Sequence, residues 1–317
     1  MRFLATYIMR GRLQAMFVAA LSGSLATLLW VLVPLSLPLS WASAAVVGLV
    51  TLVQGPFEGL LAVIGAAVLA GVLFTLGVGT PAPAFGLVLA LWLPAWLVAH
   101  FVRLSGSLSL GLLAVAGVGV LIVLGVYLVV GDPTPLLHEF VKQDILAAAD
   151  QSANNANQEQ LKAAMDQLLV PTLTGRLVAG TMIGWIISLL LARWWQAQLV
   201  RPEGFRREFH GLRLGRSAAV AAVLLMVAPV VIPGGALVAK NLAWVVGVPF
   251  LMQGLAVVHG SLAQQRASTG WLIGLYMALF FSVLYNVTSP YGVGLLAVVG
   301  LADNWVDFRA RVGTPRE

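Results

Sequence analysis

Cysteine is absent from the 317 residues. Disulfides, thiolate metal sites and thiol catalysis are therefore excluded. Charge is scarce as well: Asp, Glu, Lys and Arg make up 9% of the chain, against roughly 25% in an average soluble domain. So few charges cannot cover a water-facing surface, which excludes an ordinary soluble enzyme. A phosphate loop of the form GxxxxGKS or GxxxxGKT is missing, as are a His/Asp/Glu cluster at metal spacing and a Ser/His/Asp set at one plausible depth. The sequence therefore shows no ATPase of its own, no catalytic constellation and no implied cofactor. Nor do polar and apolar residues alternate over segments of about 10 residues, as in a transmembrane barrel.

What fills the chain is apolar: 60% of the residues are hydrophobic and the mean hydropathy is +0.95. Crossing about 30 Å of hydrocarbon takes roughly 20 apolar residues per helix. Such runs recur near 13–33, 35–55, 59–78, 83–102, 108–130, 172–192, 217–237, 242–260, 270–288 and 289–302. The expectation is an all-α, polytopic transmembrane bundle of eight to ten spans. The second, eighth and last runs are short or proline-flanked, and either of the first two pairs can fold as a re-entrant hairpin. Gln54 to Gly59 reads as a turn, placing Glu58 in a cytoplasmic hairpin, with a buried proton carrier as the alternative reading. The chain divides into an N-terminal membrane half (1–130), a soluble segment (131–171) and a C-terminal membrane half (172–317) with a basic loop at 193–216.

Cytoplasmic loops retain Lys and Arg, so the basic residues set the orientation. Arg2, Arg10, Arg12, Arg103, the six arginines between Arg193 and Arg216, Arg266, Arg309, Arg311 and Arg316 all fall on one side if there are ten crossings. That side is expected to be the cytoplasm, with both termini on it, in a bacterial inner membrane. The first apolar run continues to Val33, too long for a cleaved leader, and reads as an uncleaved anchor. Segment 131–171 is acidic and external in this scheme. Its two apolar faces, at Leu136 to Ala149 and at Leu161 to Leu169, flank the polar turn from Ser152 to Asn157. They predict an amphipathic helical hairpin, either a cap over the bundle or a lid over a substrate site. In the basic loop, Trp194 and Trp195 fit an interfacial belt and the arginines beyond them fit anionic headgroups. Phe205, Phe209, Leu212 and Leu214 interleave with Arg206, Arg207 and Arg213, a pattern also compatible with RNA or a partner protein. The formal net charge of +6 mainly records the inside bias, so no nucleic-acid partner is expected.

Small residues recur every fourth position on two spans: Gly180, Gly184, Ser188, Ala192, and Gly270, Gly274, Ala278, Ser282. Helices in a bilayer associate by close backbone approach, so both faces are expected to be buried against other helices, as is the shorter row Ala62, Ala66, Ala70. One turn outward from Gly180 lies Arg176; one turn outward from Ser282 lies Asn286. Lys240 and Asn241 lie at the same level. These four are the candidate substrate-binding residues, with Arg176 either facing an outward polar pocket or snorkelling to water. Gln253 is a lone mid-span amide expected to bond a neighbouring helix.

The run GLADNWVDFR (300–309), taken with FRREFHGLRL (205–214), resembles the YybS-like family of bacterial membrane proteins, which carry a domain of unknown function. That family is in turn distantly similar to the S subunits of energy-coupling-factor transporters, which bind a small molecule and borrow a separate ATPase. The resemblance implies a small-molecule transporter or its substrate-binding membrane component, and it carries over no binding residue. Read physically, Asp303, Trp305, Asp307, Arg309 and Arg213 form either a clamp between the C-terminal segment and the basic loop or a docking site for a cytoplasmic protein. Asp303 and Asp307 share a helical face at i, i+4, and Asp307 with Arg311 forms another such pair. The competing functional reading is a membrane scaffold that recruits cytoplasmic partners.

Overall fold

A computed structural model describes residues 2–29, 33–139, 170–200, 202–231, 236–265, 267–285 and 291–312. Among these residues the regular secondary structure is all helical, without a strand. Six helical segments are long and apolar enough to cross a membrane: Leu35–Gln54, Pro56–Val78, Ala82–Ser105, Leu108–Val130, Val170–Val200 and Ala236–Gln264. Four shorter apolar helices accompany them, at Arg12–Leu28, Arg216–Val231, Gly270–Leu279 and Val293–Val306. The described part of each apolar run thus lies in helical segments. The eighth run, one of those expected to be short or proline-flanked, lies within the 29-residue helix Ala236–Gln264, which accommodates Pro249 in its interior. The chain packs as two compact units, one from residues 1–115 and 181–209, the other from residues 116–180 and 210–317.

The first unit holds α1 (Arg2–Ile8), α2 (Arg12–Leu28), α3 (Val33–Gln54), α4 (Pro56–Val78), α5 (Ala82–Leu87), a π-helical turn (Val88–Trp92) and α6 (Leu93–Ser105). It also holds the start of α7 (Leu108–Val130), the later part of α8 (Leu173–Val200) and most of α9 (Gly204–His210). Small side chains let its backbones approach. Ala19, Ala44, Ala45, Ala66, Ala70 and Ala99 are all fully buried, and Gly48 of α3 faces Ala192 and Ala99. The turn between α3 and α4 needs Gly55, whose φ of 115° lies where a side chain is strained. Pro56 then opens α4 at the position where its missing N–H costs nothing. Glu58 accordingly sits in the first turn of α4, where the helix dipole favours an acid. It accepts from Arg12 Nε at 2.7 Å and from the terminal guanidinium nitrogen at 2.5 Å.

Several buried polar groups in this unit pair across helices, whereas Ser24 Oγ, His100 Nδ1 and Trp195 Nε1 are buried without a hydrogen-bond partner. Trp92 Nε1 donates to Ser43 Oγ at 2.8 Å, and Ser43 Oγ donates to the Ala19 carbonyl at 2.7 Å, tying the π-helical turn, α3 and α2 together. Pro94 has no N–H, so the carbonyl of Ala90 four residues earlier loses its helical donor. Trp185 Nε1 supplies the replacement at 2.7 Å.

The second unit holds the remainder of α7 and the beginning of α8. It continues with α10 (Arg216–Val231), α11 (Ala236–Gln264), α12 (Gly270–Tyr285), α13 (Tyr291–Val306) and α14 (Phe308–Val312). Its tightest seam lies between α11 and α13. A Cβ on Gly254 would overlap the Leu296 carbonyl, and one on Gly300 would overlap the Phe250 carbonyl. This pair was not among the small-residue rows.

The rows themselves divide. Ala62, Ala66 and Ala70 are buried. Gly184 packs against the Trp41 indole, and Ser188 and Ala192 are buried, but Gly180 is exposed with open space at its Cβ position. The α12 row is a correction: Gly270, Gly274 and Ala278 are exposed, and nothing lies near Gly274. Spacing by four identifies a face that permits close packing, but it does not supply the helix that packs there. The hairpin expected within 131–171 falls largely on 140–169, outside the described residues. Asp132 does begin a helical turn, its Oδ1 accepting from the Thr134 N–H at 2.9 Å; the Thr134 hydroxyl first, and this N–H second, hold its carboxyl below the usual range.

Candidate functional site

Helix α11 carries two buried amides, Asn241 and Gln253, twelve residues apart and so about 18 Å apart along the axis. Each is the centre of a polar cluster in the second unit.

At the first, Asn241 is fully buried. Its Oδ1 accepts from the Gly175 N–H at 2.6 Å, and its Nδ2 donates toward the carbonyls of Pro171 at 2.8 Å and Leu237 at 2.9 Å and the Tyr127 hydroxyl at 2.9 Å. Gly175 is required, because a Cβ there would strike the Asn241 backbone. Gly175 lies in the first turn of α8, where N–H groups lack helical partners, and the Pro171 and Leu237 carbonyls take the amide hydrogens. Asn241 satisfies them without importing a charge.

The neighbouring Arg176 is half-buried. Its Nε donates to Thr172 Oγ1 at 2.9 Å, and its guanidinium lies over the Trp244 ring, 4.4 Å from the centroid. Such a cation–π contact contributes on the order of 0.5–2 kcal/mol, depending on desolvation. Arg176 and Asn241 therefore come together through Gly175. Lys240 is exposed, since adjacent helix positions point about 100° apart. Asn286 lies outside the described residues.

The second cluster joins α11, α13, α14 and the segment 210–216. Gln253 and Asp303 are buried, and Arg309 is 6% exposed. Arg309 donates to Asp303 Oδ2 at 2.6 Å, to the His210 carbonyl at 2.5 Å and to the Leu212 carbonyl at 3.1 Å. Gln253 Nε2 donates to the same Asp303 oxygen at 3.2 Å, while Gln253 Oε1 accepts from the Leu214 N–H at 3.0 Å. Asn304 Oδ1 accepts from the Gly215 N–H at 3.0 Å. The end of α9 and the connecting segment after it thus find partners for four backbone groups in the side chains of α11, α13 and α14.

Helix α13 ends at Val306, and Asp307 takes φ 51°, a left-handed conformation that Asp tolerates better than most residues. The i, i+4 face expected for Asp303 and Asp307 is therefore interrupted. Asp303 turns inward to Arg309, whereas Asp307 pairs with Arg213 and accepts from the Ala310 N–H at 3.3 Å, capping α14. The Arg213 hydrogen bond lowers the Asp307 carboxyl below its ordinary value. Trp305 is 46% exposed and takes no part in the buried network. Neither Gln253 nor Asn304 was a candidate site residue, although Gln253 was expected to bond a neighbouring helix and does so through Asp303 of α13. A single amide inside an apolar run was the signal for the first; nothing marked Asn304 apart from its acidic neighbour.

In the first unit the carboxylate of Glu208 receives Arg193 through contacts of 2.8–3.2 Å and the Leu108 N–H at 3.2 Å. Among the described residues no group of three or more His, Asp and Glu is placed to hold a metal ion. Family models, curated proteins and solved structures include none that matches this chain.

Proposed function

We propose that the chain is a multi-pass protein of a bacterial inner membrane that binds a small molecule for transport, alone or as the substrate-binding component of a larger transporter. The arrangement that carries this reading is Arg176 held over Trp244 and braced by Thr172, beside the buried amide of Asn241. A half-buried guanidinium on an apolar helical wall is a ready partner for a carboxylate or phosphate, and its planar fork is not reproduced by lysine. The proposal includes eight to ten crossings, both termini in the cytoplasm, no enzymatic role and membership of the YybS-like family. Thermal shift of the detergent-solubilised chain against vitamins, nucleobases and amino acids tests it. A stabilising ligand whose affinity drops with Arg176→Lys is the expected result; no stabilisation by any of them removes its support. Orientation is tested separately by single cysteines at Ser152 and Arg207 on the cysteine-free background. Labelling of position 207 from outside the cell inverts it.

A second reading, a scaffold that recruits a cytoplasmic protein, is favoured by one observation. Segment 210–215 is fixed in place by Arg309, Gln253 and Asn304, as a presenting surface requires. Photocrosslinking from Phe205 and Trp305 in cells distinguishes it, with lipid adducts alone counting against a protein partner.

A further inference from the structure

Helix α9 is short and carries two kinds of side chain. Phe205 and Phe209 stack, with ring centroids 6.1 Å apart. Arg206 and Arg207 are exposed; Arg207 has only a loose, solvent-open contact with Glu203 at 3.5 Å, and Arg206 takes part in none of the ion pairs among the described residues. The acid that would otherwise neutralise them, Glu208, is engaged by Arg193 and by the Leu108 N–H. Those two partners also fix the level of α9. Leu108 is the first residue of the span Leu108–Val130, and Arg193 lies beside Trp194 in the span Val170–Val200. A helix start and an interfacial tryptophan both mark the edge of the hydrocarbon. The ion pair with Arg193 and the hydrogen bond from the Leu108 N–H therefore hold α9 at that edge.

We propose that α9 is a preformed platform for anionic phospholipid headgroups, with Arg206 and Arg207 receiving the lipid phosphates. The inference needs only that the chain is embedded in a membrane, and it stands or falls independently of transport. Glu208 is the positioning residue: by taking up Arg193 and the start of α7 it orders the helix without spending Arg206 or Arg207. A protein partner is the weaker occupant, because the pinning contacts hold α9 at the bilayer edge.

Native mass spectrometry of the full chain in neutral detergent, titrated with phosphatidylglycerol or phosphatidylcholine, tests the proposal. Arg206→Gln and Arg207→Gln should each weaken phosphatidylglycerol binding about fivefold, the factor that one basic residue near an anionic surface contributes, and leave phosphatidylcholine binding unchanged. Arg207→Lys should stay near wild type, and Glu203→Gln, which removes a competing carboxylate, should strengthen binding. Arg10→Gln, an exposed arginine elsewhere in the same unit, should have little effect. Unchanged phosphatidylglycerol binding in Arg206→Gln and Arg207→Gln overturns the proposal. So does an equal loss in Arg10→Gln, or displacement of the lipid by millimolar inorganic phosphate, which would make free phosphate the ligand.

Discussion

Replacing Arg309 by Met keeps much of the side-chain volume but removes the charge that Asp303 depends on. Asp303 is 1% exposed and Arg309 6%, so neither group can turn to water. In Arg309→Met the Asp303 carboxylate keeps Gln253 Nε2 and the Phe308 N–H at 3.1 Å, two neutral donors for a full charge. Breaking a buried pair by removing one partner costs about 3–5 kcal/mol. The carbonyls of His210 and Leu212 lose their donor as well, at roughly 1–3 kcal/mol for each one that stays buried. Water entering the vacated space offsets part of the second cost, so a loss of about 4–6 kcal/mol is expected, enough to unfold a marginal domain. Adding Asp303→Asn removes the orphaned charge and should recover a large part of it, because contacting residues are not additive. Thermal unfolding in detergent and proteolysis at 210–216 provide the two readouts. A stability within about 0.5 kcal/mol of wild type, the range of ordinary surface substitutions, would refute the argument. A double variant no better than Arg309→Met alone would refute the charge component of it.

Three further outcomes rest on other parts of the fold. Gly254→Leu and Gly300→Leu should each destabilise by at least about 1–3 kcal/mol, since the added atoms meet carbonyl backbone of the facing helix; Gly274→Leu, with open space around it, should be mild in the same unfolding assay. Trp185→Phe should cost about 1–3 kcal/mol by leaving the Ala90 carbonyl without a donor, an effect that Leu190→Ala at a half-buried neighbouring position would not reproduce. Because Arg213 lowers the Asp307 carboxyl below 3.8, their pair stabilises the fold fully above that pH and is lost as pH falls through the lowered value. Wild type should therefore lose stability relative to Asp307→Asn on acidification below about pH 4, and parallel curves for the two proteins would contradict this.

Apolar run length alone determined that the chain is helical and made for a membrane. Backbone groups surrounded by hydrocarbon must pair within their own segment, so a run of about 20 apolar residues admits little besides a helix. Glycine and proline likewise placed the break at Gly55–Pro56 from local backbone preference. The sequence also narrowed the chemistry: an arginine at 176, amides at 241 and 253, and acids and arginines at 303–309 were visible as the few polar residues in apolar surroundings. Which of them meet was not visible. Gly270, Gly274 and Ala278 have the same spacing as Gly184, Ser188 and Ala192, yet only the latter are covered. A helical repeat encodes the shape of a face, not the presence of a neighbour. Asp303 and Asp307 were equivalent by spacing until α13 ended between them and sent one inward to Arg309 and the other outward to Arg213. Gln253 found Leu214 and Asp303, and Glu208 found Arg193 and Leu108, across separations of 15 to 100 residues. A buried polar group must be paired by whatever the fold brings to it, and only the tertiary packing of helices determines which group that is.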